Sequence, residues 1–140
     1  MLSQKDVKIL NILEKDCKLP SKKISERTGI PITTIHNRVK RMEEDGVIKS
    51  YRAVLDKKKI GKPIQAFIHI SLSNVDSASI GKKISMMPDV DECYILTGTT
   101  DILVKISTSD VDHLNSFVMG NIKPIKGVEN TLISIILKEI

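Results

Sequence analysis

The chain has 140 residues, 41% hydrophobic but only 3% aromatic, so one core or two small ones must be built from Ile, Leu and Val. Its net charge of +5 is divided unevenly: residues 1–63 carry 12 Lys and 4 Arg against 8 acids, whereas residues 64–140 carry 6 Lys and no Arg against 9 acids. No apolar run nears the ~20 residues that cross a bilayer, and the opening MLSQKDVKIL lacks a secretory layout, so a cytoplasmic protein with no membrane partner is expected.

Ser3 to Asp6 reads as a capping box with Asp in place of Glu, opening a helix whose inward stripe is Val7, Ile9, Leu10 and Leu13. Pro20 ends that segment. Ser21 is the expected N-cap of a short second helix that carries Ile24 inward and stops at Thr28 and Gly29, where glycine permits a sharp exit. A third helix is predicted over residues 32–45, with Ile35, Val39 and Met42 facing inward and Gly46 ending it. A short helix, a Gly-containing turn and a longer basic helix form the helix-turn-helix pattern. Residues 48–62 predict a strand, a basic turn at Lys57, Lys58 and Lys59, and a connector broken by Gly61 and Pro63: a wing and then a linker.

The second half changes grammar. Ile64, Ala66, Ile68, Ile70 and Leu72 alternate with Gln65, Phe67, His69 and Ser71, a period-two strand. A helix is predicted over residues 77–87 with Ile80, Ile84 and Met87 inward. Strands over residues 92–96 and 102–107 follow, then a helix over residues 111–122 and a closing strand over residues 128–137. The order β-α-β-β-α-β is the ferredoxin-like arrangement. The expected fold class is therefore α+β: a helix-turn-helix domain over residues 1–50, a wing and hinge over residues 51–63, and a ferredoxin-like domain over residues 64–140.

The third helix is the candidate for reading double-stranded DNA. Thr33, Thr34, His36, Asn37, Lys40 and Arg41 lie on or beside its outer face. Thr33, Thr34 and Asn37 are short enough to approach base edges: Asn pairs bidentately with adenine, and a Thr methyl can touch a thymine methyl. Arg38, Lys40 and Arg41 suit phosphates, with the alternative that Arg38 pairs with a nearby acid as part of the fold. The charge division agrees, since one half of the chain suits a polyanion. The bland alternative is a solvated polar helix face. Arg52 and the three lysines of the wing are either phosphate contacts or a solvated turn.

In the second half, Thr97, Gly98, Thr99, Thr100 and Asp101 form the polar cluster suited to a ligand. Hydroxyls and backbone N–H groups suit a carboxylate, and Asp101 suits an ammonium group, together the needs of an amino acid. The alternative is a plain hairpin turn. Cys17 and Cys93 fit no metal spacing, and His36, His69 and His113 are scattered, so no metal and no cofactor are expected. No nucleophile–base pair is legible, and the chain is not read as an enzyme.

These features together resemble the Lrp/AsnC family of feast/famine regulators, along essentially the whole chain. The resemblance rests on the order and spacing of Asp6–Leu10 (DVKIL), Ile24–Gly29 (ISERTG), Arg38-Val39, Arg41-Met42-Glu43, Gly46-Val47-Ile48, Tyr51-Arg52-Ala53 and Ile60-Gly61, then Pro88-Asp89-Val90, Thr97-Gly98 with Asp101, and Ile125-Lys126-Gly127-Val128. It implies a winged helix-turn-helix joined by a hinge strand to an effector-binding and oligomerisation domain, with homodimers formed through packed sheets and further assembly, commonly octameric. It also implies a small effector, usually an amino acid, near Gly98 to Asp101. The chain departs from the family at Pro31, where a Ser commonly caps the recognition helix, and at Thr99 and Thr100, where acidic or aromatic residues are frequent.

Overall fold

In a computed structural model that describes all residues 1–140, the chain divides into two compact units, Met1–Val54 and Leu55–Ile140. The first is three helices. Helix α1 (Gln4–Lys15) starts at the expected capping box: Asp6 N–H donates to Ser3 Oγ at 3.3 Å and Ser3 N–H to Asp6 Oδ2 at 2.9 Å. Helices α2 (Ser21–Thr28) and α3 (Ile32–Glu44) follow. Ile9, Ile24, Ile30, Ile35 and Met42 make a sealed core, with Leu10, Leu13 and Val39 packed against it. Val7 does not join its expected stripe and is exposed, whereas Ile9, on the nearly opposite side of the helix, is fully buried. Pro20, not Ser21, occupies the α2 N-cap, and no side chain caps that end.

The strand expected after Ile48 does not form. Residues 49–56 are neither helix nor strand, all eight are exposed, and residues 49–55 make no backbone hydrogen bond within the chain. The expected basic turn is a 3-10 helix, Lys57–Ile60, whose N-cap Asp56 accepts from Lys58 N–H. Its lysines therefore belong to the second unit and not to a hairpin.

The second unit is the β-α-β-β-α-β arrangement: β1 (Ile64–Leu72), α4 (Ser77–Ser85), β2 (Val90–Ile95), β3 (Ile102–Thr108), α5 (Val111–Phe117) and β4 (Val128–Ile135). All pairings are antiparallel, in the order β2-β3-β1-β4. Helix α5 runs on into a π-helical turn, Val118–Ile122. Alternation sends Ala66, Ile68, Ile70, Ile102, Val104 and Ile106 to one face, where Ile80 and Ile84 of α4 and Leu114 and Phe117 of α5 cover them. The other face has no helix. Register sets His69 beside Leu103 and Leu132, Phe67 beside Lys105 and Ser134, and Tyr94 beside Leu103. Tyr94 and Leu132 are 49% and 64% exposed there.

Candidate nucleic-acid interface and ligand loop

The turn between α2 and α3 is built by two residues. Gly29 sits in the left-handed region at φ 74° and donates its N–H to Ser25 O at 2.8 Å. The Thr28 hydroxyl donates to Ile24 O at 2.7 Å and accepts from Ile30 N–H at 3.2 Å, bridging the turn. Helix α3 then begins after Pro31, whose fixed φ suits a helix start but which offers no side-chain oxygen. Thr33 does not cap it.

With Ile35 and Met42 buried, Thr33, His36, Asn37, Lys40 and Arg41 are exposed and Thr34 is half-buried. The structure thus gathers six of the seven predicted residues on or beside one accessible face. Arg41 has only a loose 3.9 Å contact with Asp45, both side chains being mostly exposed, so its charge stays available to an anion.

Arg38 departs from the group. Its Nη1 donates to Ser3 Oγ at 3.1 Å and to Asp6 Oδ1 and Oδ2 at 3.3 and 3.2 Å. Of the two expectations for this arginine, the structure contains the pairing with an acid. Asp6 is 5% exposed and is the one charged residue in the buried set. The Ser3 backbone N–H holds its carboxyl below the usual carboxylate range, against the opposing cost of burial, and the Ser3 hydroxyl and Arg38 pull the same way. The sequence reading took Asp6 for a cap alone.

Of the three expected wing lysines, Lys57 is paired within the second unit, while Lys58 and Lys59 remain exposed. Lys57 Nζ is 2.9 Å from Asp91 Oδ1, and the Ser107 hydroxyl donates to the other oxygen of that carboxylate. Lys62 Nζ is 2.7 Å from Asp89 Oδ1, while His113 Nε2 lies 3.0 Å from Asp89 Oδ2. Two of the four lysines in this segment are thus tied to acids of the second unit. No sequence motif flagged Asp89 or Asp91 beyond the family-like Pro88-Asp89-Val90.

The ligand loop is exposed from Thr97 to Thr99 and half-buried at Thr100 and Asp101. Gly98 takes φ 105°, which a side chain would resist. Asp101 Oδ2 accepts from Leu72 N–H at 2.7 Å, at the point where the β1–β4 register shifts. Asp101 N–H donates to Ile70 O, Leu96 N–H to Asp101 O, and the Ser71 hydroxyl to Thr99 O. Asp101 therefore anchors the loop through one oxygen, and Oδ1 has no partner within the chain. The three threonine hydroxyls are equally unengaged.

A three-helix unit with the helix-turn-helix order and an exposed polar third helix has the layout of a DNA-binding protein. Residues 2–49 match the family model for winged helix-turn-helix DNA-binding, and residues 65–140 that for the Lrp/AsnC ligand binding domain. The chain belongs to the Lrp/AsnC family of DNA-binding transcription regulators. It is 40% identical to the HTH-type transcriptional regulator FL11 of Pyrococcus furiosus, over 99% of this chain and 91% of that one. It is 33% identical to the regulatory protein AsnC of Haemophilus influenzae, over 90% and 85%. Among solved structures, a transcriptional regulator from Neisseria meningitidis in complex with L-Met superposes with a TM-score of 0.89 at 30% identity, covering 100% of this chain and 92% of that chain. AsnC of E. coli gives 0.85 at 27% identity, covering 99% and 94%. No helix is long and apolar enough to cross a membrane.

Proposed function

We propose that the chain acts in the cytoplasm as a homodimeric, effector-modulated regulator that reads near-palindromic duplex sites with α3. The observation that carries the reading is the exposed, largely unpaired polar face of α3, with Asn37 and Thr33 at its centre and Lys40 and Arg41 at its flanks. Asn37 and the two threonines suit base edges, and Lys40 and Arg41 suit phosphates. Two copies related by a two-fold axis would present two such helices to successive major grooves.

The helix-free sheet face supports self-association: Tyr94, Leu103, His69 and Leu132 form a row across all four strands in which His69 is the one ionisable member near neutral pH. The unpaired backbone of residues 49–55 offers a second copy an edge to pair with. Higher assembly, including an octamer, belongs to the same reading. For the effector, the free Asp101 Oδ1 and the unengaged hydroxyls of Thr97, Thr99 and Thr100 suit the ammonium and carboxylate of an amino acid. The N. meningitidis relative is described with L-Met bound.

Selection of bound fragments from genomic DNA, repeated with a panel of amino acids, tests both halves. Recovery of fragments sharing a two-fold symmetric sequence, in yields that shift with one or more amino acids, is expected. Absence of any preferred fragment at moderate salt would overturn the DNA reading, and yields indifferent to the whole panel would overturn the effector reading.

A further inference from the structure

Most of what joins α1 to α3 is aliphatic. Ile9, Ile35 and Met42 hold the helices together, but dispersion and water exclusion are nearly indifferent to small rotations about a helix axis. Directional contacts are different. Arg38 is one helical turn from both Thr34 and Arg41, on the flank between the core stripe and the outer face. Its Nη1 converges on three oxygens, Ser3 Oγ and both carboxylate oxygens of Asp6, all at the N-terminus of α1. The carboxylate is itself fixed by the Ser3 N–H and is almost fully buried. Helix α3 meanwhile lacks a side-chain cap at Pro31, so its own start supplies no comparable fixed point.

From this geometry we infer that Ser3, Asp6 and Arg38 are positioning residues for DNA reading, setting the rotation of α3 and so the aim of Thr33, Thr34 and Asn37. The magnitudes favour this role. A side-chain tip on α3 lies about 5–6 Å from the helix axis, so a rotation of about 10° displaces it by ~1 Å. A displacement of that size spoils a bidentate base contact, whose distances span only a few tenths of an ångström. A phosphate contact made by a long, mobile lysine or arginine tolerates it. Loss of the clasp therefore lowers discrimination between sites more than it lowers affinity for DNA at large. An ion pair with one partner buried is also a weak source of stability, because desolvation of the carboxylate offsets much of its attraction; the better-attested contribution of such pairs is to fix register.

The inference rests on α3 being the reading helix, and the experiment separates the two. The full-length wild type, Asp6→Asn, and the double variant Asp6→Asn/Arg38→Met are titrated against the best genomic fragment selected by the wild type and against poly(dI-dC), each over a salt series. Asn keeps an acceptor for the Ser3 N–H, and the double variant leaves no unpaired buried charge. Thermal melting accompanies each titration. Both variants are expected to lose about tenfold or more in the ratio of specific to non-specific affinity, the scale of one spoiled base contact. Asp6→Asn, which keeps the arginine charge, should leave the salt slope on poly(dI-dC) unchanged. A lowered melting temperature with an unchanged ratio would reduce the clasp to a stability element and overturn the inference. So would an unchanged ratio in Asp6→Asn with a slope smaller by about one in the double variant, because that pattern makes Arg38 a plain phosphate contact. If the wild type selects no preferred fragment, the assignment of α3 fails, and this inference with it.

Discussion

Lys62 Nζ meets Asp89 Oδ1 at 2.7 Å while Asp89 holds φ at 70°, the one non-glycine residue of the chain with positive φ. The ion pair and the left-handed backbone act on stability in opposite directions. The Lys62 hydrogen bond, and to a lesser degree His113, lowers the Asp89 carboxyl below its ordinary 3.8, and Asp89 raises Lys62 above its ordinary 10.5. A lowered carboxyl gives stability that is present above the unfolded value and lost as pH falls through the folded one. A raised amine gives stability that is full below 10.5 and lost as pH rises through its folded value. The pair should therefore stabilise between about pH 4 and pH 10. Asp89→Asn should flatten the acid limb of a melting-temperature profile. Asp89→Gly removes the same charge but relieves the backbone, so it should melt above Asp89→Asn at pH 7.

The turn of the helix-turn-helix yields a second expectation. Gly29 at φ 74° has open space where a Cβ would lie, so the penalty for a side chain there is one of backbone conformation and not of collision. Gly29→Ala should destabilise the first unit by about 1–2 kcal/mol, read from urea unfolding with an unchanged m-value. Gly29→Asn should cost less, because Asn tolerates the left-handed region.

On the α3 face, Asn37→Ala and Lys40→Ala should leave stability within about 0.5 kcal/mol of wild type, both side chains being exposed. Their effects on DNA should differ in kind. Asn37→Ala should change which fragments are preferred, whereas Lys40→Ala should weaken all duplexes similarly and reduce the salt slope by about one. A gel-shift titration against two competing fragments at two salt concentrations separates these outcomes.

The helix-free face of the sheet predicts its own disruption. Leu132, 64% exposed, lies beside His69 in the register. Leu132→Glu should leave the second unit folded but shift the sedimentation coefficient toward that of a monomer, with a melting temperature lowered by the loss of the partner copy. An unchanged coefficient would exclude this face from the assembly.

Much of this architecture was legible because local chemistry and final packing agree. The capping box at Ser3, the αL exit at Gly29 and the alternation over Ile64–Leu72 each carry their own signal within a few residues. What escaped was non-local. Nothing near Arg38 in sequence says that its partners lie 32 and 35 positions away, and Lys57 reaches Asp91 across 34. The wing strand was misread for a related reason: Tyr51 to Leu55 has strand-like residues, but a strand needs a partner edge, and this segment has none within the chain. The side-chain chemistry of the ligand loop was readable, whereas the engagement of Asp101 by the Leu72 N–H depends on a register shift that no pattern announces.

That same unpaired segment makes the chain modular in a practical sense. The two aliphatic cores share no residue, and within one chain a junction in residues 49–55 cuts no hydrogen-bonded ladder and opens no buried surface, while keeping the segment's backbone available to a second copy. A reading head from another member of the family can be grafted there while the sensing half is retained. Such a hybrid would act on a reporter promoter chosen for the borrowed head, so the proposed ligand response could be tested with no knowledge of the natural operators.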